Sequence, residues 1–277
     1  MYPAYNPQLT GGRVQWPEAA AVAAKAGFPG VDVGLGVAIR EGLEKTQRLL
    51  AEHRLRPAAV DLPLDFRKDE ETFQKGMRML PDAASFAAAI GCPRMVTYLL
   101  SSADKPKAEQ RKILLDRFRA CADVLARSHV RLGLEFLGPL HIRKAQTYEF
   151  IWQMDEMLAF AKECGPNCGL LLDVWHWHHA GATVADILAA GKDRIVHVHF
   201  NDAAKLPPEE VRDNQRLLPG EGVIDLKGFL QALKKIGYED ALSVEVFGRG
   251  LKEMPVDEAA RLGFEAASRV MRDAGVL

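Results

Sequence analysis

Apolar positions along the chain gather in short runs, and between them they recur at the three- to four-residue interval of a helix face. The clearest runs are Gly30–Gly34 (GVDVG), Arg56–Leu62 (RPAAVDL), Arg94–Leu100 (RMVTYLL), Arg131–Leu137 (RLGLEFL), Gly169–Val174 (GLLLDV), Ile195–Phe200 (IVHVHF) and Ala241–Phe247 (ALSVEVF), with a weaker one at Ala4–Leu9. Short runs of this kind read as buried strands. Eight of them in 277 residues give about 35 residues per unit, the size of a strand, a loop and a helix. The segments between carry helix punctuation. Pro17 precedes the alanine-rich stretch that Gly27 closes, Thr183 and Asp186 have the spacing of a capping box ahead of Gly191, and Asp225 stands where it can cap Leu226–Ile236 before Gly237. Met254–Ala274 reads as a final amphipathic helix. Strands alternating with helices imply a parallel sheet, and eight units favour closure. No Gly/Ser-rich linker divides the chain. The expected fold is an α/β (β/α)8 TIM barrel, one domain over residues 1–277.

Two polar stretches interrupt this rhythm, Gly138–Thr147 after strand five and Asn201–Gly222 after strand seven. In such a barrel they are loops of the C-terminal rim, where sites are built.

Composition narrows the class. A formal net charge of −1 lacks the basic excess of nucleic-acid-binding domains, so no nucleic-acid partner is expected. No apolar run approaches the roughly 18 residues of a membrane span, and no signal-peptide pattern opens the chain. The expectation is a cytoplasmic protein with no membrane partner, compatible with a homo-oligomer. Cys164 and Cys168 have a spacing that suggests a metal knuckle, but no second Cys or His pair accompanies them.

Chemistry concentrates at strand ends. Glu135, Asp173, His199 and Glu245 each lie near the C-terminal end of an apolar strand. Alternation places them on the same faces as Gly133, Leu171, His197 and Ser243, with bulky neighbours such as Leu134, Leu172, Val198 and Val244 turned toward the helices. Three acids brought together in a low-dielectric mouth repel one another unless a cation joins them. The expected cofactor is one divalent metal ion, and oxygen-rich ligation with a single imidazole favours Mn2+ or Mg2+ while still accommodating Co2+ or Zn2+. His176, just past strand six, and Arg249, four residues beyond Glu245, are candidate substrate-binding residues. His197 lies one layer deeper than His199 and reads as a supporting partner. His178 and His179 cannot point with His176 at one centre. Asn6, Asp61 and Tyr98 are candidate rim contacts from the first half, and Gly220-Glu221-Gly222 reads as a tight turn shaping the rim.

These residues fall in GLEFLG (Gly133–Gly138), LLLDVWHWHHAG (Leu170–Gly181), VHVHFNDA (Val196–Ala203), PGEGVIDL (Pro219–Leu226) and LSVEVF (Leu242–Phe247). In them the sequence resembles the xylose-isomerase-like sugar isomerase/epimerase superfamily, with wording nearest to inosose isomerase-like proteins. The first half matches only in its strand–helix rhythm. The resemblance implies that Glu135, Asp173, His199 and Glu245 ligate the metal, that Glu135 and Glu245 double as acid/base groups, and that His176 contacts the substrate. The implied activity is isomerisation or epimerisation of a small keto-sugar or keto-inositol by proton transfer through a metal-stabilised enediolate. A lyase or dehydratase acting on a keto-sugar is the alternative, and a non-catalytic sugar-binding barrel a third. Apurinic-site endonucleases of the same superfamily hold three zinc ions with further His residues on early strands and after strand seven. Here strands three and four end in Asp61-Leu62-Pro63 and Thr97-Tyr98-Leu99, and Asn201–Ala204 holds no His. The sequence argues against that nuclease chemistry.

Overall fold

Each apolar run becomes a strand, and a computed structural model covering residues 1–277 arranges them in parallel. They are β1 (Tyr2–Tyr5), β2 (Gly30–Val31), β3 (Arg56–Pro57 continuing at Val60–Asp61), β4 (Arg94–Tyr98), β5 (Arg131–Glu135), β6 (Cys168–Asp173), β7 (Ile195–Phe200) and β8 (Ala241–Val244). Neighbours follow chain order from β1 to β8, and β8 pairs back to β1. The two halves of β3 stand at the two ends of the sheet: Arg56–Pro57 pairs with β2, and Val60–Asp61 pairs with β4. Ala58 donates to the Val31 carbonyl, Val33 to the Ala59 carbonyl and Leu62 to the Val96 carbonyl, so this one segment closes the curl. The recurrent unit read in the sequence is therefore the unit of the fold.

The apolar residues separate into layers. One large cluster, including Leu134, Leu172, Val198, Phe200 and Val244, fills the space between sheet and helices. Two small clusters, Tyr2 with Ala4, Ala58 and Ala241, and Ala59 with Val96 and Leu171, lie apart from it. Alternation along the strands makes these the inward layers, and small side chains suit the narrow interior. Polar groups stand above them on the C-terminal side.

Helix ends follow their local chemistry. Gly27 terminates Glu18–Ala26 at φ 97°, Thr183 and Asp186 form the capping box of Val184–Ala190, and Asp225 accepts from the Gly228 N–H at the start of Leu226–Lys235. The last helix is Val256–Asp273. The opening strand differs from its expected span: β1 occupies Tyr2–Tyr5, and Pro7–Thr10 is a 3-10 turn. Pro7 has no N–H to continue a ladder, and the Asn6 side chain accepts from the Gln8 N–H, which caps the turn. No helix is long and apolar enough to cross a membrane. All four cysteines are free and buried, and Cys164 and Cys168 belong to the apolar core.

Candidate metal centre

The parallel register brings the strand ends level. His199 pairs with Asp173 across β7 and β6, and with Ser243 across β7 and β8, while Glu135 closes β5. Glu245 follows β8 directly. One donor atom from each of Glu135, Asp173, His199 and Glu245 lies within 4.8 Å of the other three. The His199 Nδ1 atom is 3.1 Å from Glu245, 3.4 Å from Glu135 and 3.7 Å from Asp173. Yet neither this nitrogen nor Glu135 Oε1 makes a hydrogen bond. Four converging donors, three buried and one half-buried, two of them without any hydrogen bond, fit a cation between them. Geometry thus assembles all four of the strand-end residues singled out in the sequence.

The surroundings fix these donors. Asp173 Oδ1 accepts from the Trp175 N–H at 2.7 Å, capping helix Val174–His179, and from Asn201 Nδ2 at 3.1 Å. The same Asn201 amide donates to the Glu245 carbonyl at 3.1 Å. Beneath His199, Ser243 Oγ donates to Asp32 Oδ1 at 2.7 Å and lies 2.9 Å from His197 Nε2. The serine has one proton and gives it to Asp32, so His197 carries its own proton on Nε2. Asn6 donates to the other Asp32 oxygen.

Arg216 is the residue that sequence reasoning missed. It comes from the loop after β7, where Asp202–Ala203 pairs antiparallel with Arg216–Leu217. Its side chain is 2% exposed, a burial that requires partners for the guanidinium. One amino group donates to Asp173 Oδ2 and Glu245 Oε2, each at 2.7 Å; the other donates to Asp213 Oδ1 at 2.9 Å and reaches His176 Nε2 at 3.2 Å. Arginine can only donate, so His176 accepts at Nε2 and is protonated at Nδ1, which has no partner in the chain. Burial keeps that imidazole neutral, with its pKa lowered to about 4.

Charge sorts the carboxylates. Burial pushes Glu135 above the ordinary range, with Asp173 and Glu245 adding repulsion against the pull of His199. Burial also disfavours the Asp173 and Glu245 carboxylates, but Arg216 and His199 outweigh it and hold both below the ordinary range. For His199, burial opposes the charged ring, and the surrounding carboxylates win and raise its pKa well above the usual value. A cation at the centre would take over that role from the imidazolium proton.

The loop carrying Arg216 is tied down by Asp202. Its carboxylate accepts from the backbone N–H groups of Ala203, Gly220, Gly222 and Ile224 at 2.8–3.1 Å. A Cβ at Gly222 would meet the Ala203 carbonyl at 2.2 Å and Asp202 itself at 2.5 Å, which explains the glycine in that turn. Asp202→Ala leaves several of these N–H groups buried without an acceptor, and we expect a loss of about 3–5 kcal/mol in urea unfolding. A loss within 1 kcal/mol would show that water replaces the carboxylate there.

The remaining candidates divide by position. A cavity of about 700 Å3 over the donors is lined by Asp61, Tyr98, Glu135, His176, His199, Arg216 and Glu245 among others. Asn6 and Asp61 line an adjoining recess of about 170 Å3. His178 and His179 line a separate cavity on the far side of their helix. Arg249 is not brought to the centre. Its guanidinium forms a two-pronged pair with Glu221 at 2.8 and 2.9 Å, near the surface. Left-handed backbone at Gly248 (φ 103°) and at Arg249 itself (φ 57°) turns the chain toward Glu221. Arg216, not Arg249, supplies the guanidinium at the cavity.

Comparison with known proteins agrees with this architecture. The model of the xylose isomerase-like TIM barrel family matches residues 20–273. The chain is 24% identical to an inosose isomerase of Halalkalibacterium halodurans over 83% of its own length and 80% of that protein. A xylose isomerase domain protein from Alicyclobacillus acidocaldarius superposes with a TM-score of 0.91 at 29% identity, covering 99% of each chain. The IolI protein, solved with a bound zinc atom, superposes with a TM-score of 0.84 at 22% identity over 99% of each chain. The chain belongs to the xylose isomerase-like TIM barrel family.

Proposed function

We propose that this protein is a divalent-metal-dependent isomerase or epimerase of a small keto-sugar or keto-inositol. The observation that carries the reading is the donor set itself: three carboxylates and one imidazole converge beside a cavity of about 700 Å3, with Glu135 Oε1 and His199 Nδ1 lacking any hydrogen-bond partner. Glu135, Asp173, His199 and Glu245 would hold the ion. Their oxygen-rich chemistry places Mn2+ or Mg2+ first, with zinc, the metal of the IolI structure, next. When bound, the ion supplies Lewis-acid stabilisation of negative charge on the substrate oxygens, worth several kcal/mol.

The chain's own groups do the rest. Glu135 ends β5 and Glu245 directly follows β8, the two outer strands of the four-strand arc β5–β6–β7–β8, so they reach a substrate carbon from different sides. One carboxylate removes the proton next to the substrate carbonyl. The other, or the same one, returns it at the neighbouring carbon for isomerisation or on the opposite face for epimerisation. Electrons and protons balance without an external oxidant or reductant. Asp173, fastened by Trp175 and Asn201, serves to hold its position. The Nδ1–H of His176 is the donor available to steady a developing oxyanion, and Arg216, whose N–H groups are engaged by Asp173, Glu245, Asp213 and His176, contributes its positive charge beside it.

Incubating the protein and Mn2+ with keto-sugars and keto-inositols in D2O, followed by proton NMR, tests the reading. Solvent deuterium incorporated with unchanged composition is the expected result. Loss of water from the substrate would make the protein a lyase, and no turnover of any panel member would contradict the proposal.

A further inference from the structure

Asp61 ends β3 beside the metal-ligating residues, yet it takes part in none of the interactions that fasten them. Asp32 is held by Ser243 and Asn6, and Asp173 and Glu245 by Arg216. The Asp61 carboxylate has no hydrogen bond or ion pair within the chain, and it lines the same cavity walls as His199 and Glu245. Its side chain is exposed where the cavity opens. It is a free acceptor set into the wall of the site.

Its place is equally specific. Gln8, Asp61, Val96, His199 and Glu245 line both the large cavity and the recess beside it, so Asp61 stands at their junction. The Gln8 carboxamide also has no partner within the chain. The recess adds Asn6, Gln15 and Asp32 and contains no lysine or arginine, and the two arginines of the large cavity are engaged, Arg67 with the Tyr98 carbonyl and Arg216 with Asp173 and Glu245. A carboxylate accepts several hydrogen bonds and donates none, and its bonds to hydroxyl donors are charge-assisted. Neighbouring hydroxyls of a polyol satisfy it. A phosphate or carboxylate brings only acceptors and a like charge into a partly desolvated wall.

We infer that Asp61, with Gln8 beside it, is the hydroxyl-binding arm of this site and selects an uncharged vicinal polyol over a carboxylated or phosphorylated one. This rests on the polyol reading above and assigns the part of the substrate remote from the reacting carbons to the β1–β3 side of the cavity.

The test is calorimetric titration of the Mn2+-loaded protein at pH 8 with two unreactive probes, myo-inositol (neutral) and quinate (a carboxylated cyclic polyol). The wild type should favour myo-inositol at least tenfold. Asp61→Ala should weaken myo-inositol binding by about ten- to a hundredfold, the range for losing hydrogen bonds to a charged group. Asp61→Asn should abolish the discrimination against quinate. Metal content and Tm should be unchanged in both variants, because Asp61 supports nothing else in the chain. Unchanged myo-inositol affinity in Asp61→Ala, or no binding by the wild type at tens of millimolar, overturns the assignment. Loss of binding in Asp61→Ala alongside a wild type that turns over no keto-polyol would keep the arm and reject the isomerase reading. Turnover with an unaltered KM in Asp61→Ala would do the reverse.

Discussion

Glu135→Gln and Glu245→Gln should each retain the divalent ion and lose turnover by about a hundred- to ten-thousandfold, the range for removing a general base. Glutamine keeps an oxygen to offer the metal and cannot take a proton. The protein's own charges push these two glutamates apart: burial raises Glu135, whose Oε1 has no partner, while His199 and Arg216 hold Glu245 down against burial. Solvent-proton exchange and product formation should therefore be measured separately in each variant. A variant that still exchanges the substrate proton but forms no product has lost the returning group; one that does neither has lost the abstracting group. If both keep the metal and retain near-normal exchange, the two glutamates only ligate.

Arg216→Met should lower the stability of the metal-free protein by about 3–5 kcal/mol, because it leaves buried carboxylates without their cation. The methionine fills much of the space of the arginine stem, so the loss reports charge more than packing. Asp173 and Glu245 share one amino group of this guanidinium, and Asp213 and His176 meet the other. A lysine presents a point charge without the planar fork, so Arg216→Lys should not restore all four contacts. Mn2+ should recover part of the lost stability by neutralising the same acids. Urea unfolding with Mn2+ and with EDTA checks this, and a variant as stable as the wild type in EDTA would show that Arg216 does not balance the cluster.

The four strand-end donors were legible because two regularities reveal them. Apolar runs mark the strands, and alternation gives the facing side, so a charged residue at the end of such a run has few places to go. Asp173 shows this, standing between Leu172 and Val174 and completely buried. Arg216 and Asp202 obey neither regularity. Arg216 lies in a polar loop, with no periodicity to set its direction, and only the fold carries it beneath the cavity. Nothing in the sequence singles it out from the other charged residues of that loop. Proximity in sequence misled for Arg249: four residues from Glu245, it is turned outward by a left-handed backbone that an arginine seldom adopts. The opening strand was displaced for a local reason, since Pro7 stops the ladder. The first half of the chain, with shorter strands and no matching motifs, left Asp61 as one rim candidate among several. Its lack of any partner became visible only in three dimensions.

Glu135, Asp173, His199 and Glu245 should together hold one divalent ion. Equilibrium dialysis of the wild type and of Asp173→Ala and His199→Ala against Mn2+, with metal determined per chain and the fold followed by circular dichroism, tests it most directly. About one tightly held ion is expected in the wild type and none in either folded variant. Two or three tightly bound ions per chain, or an ion retained by both variants, would contradict it.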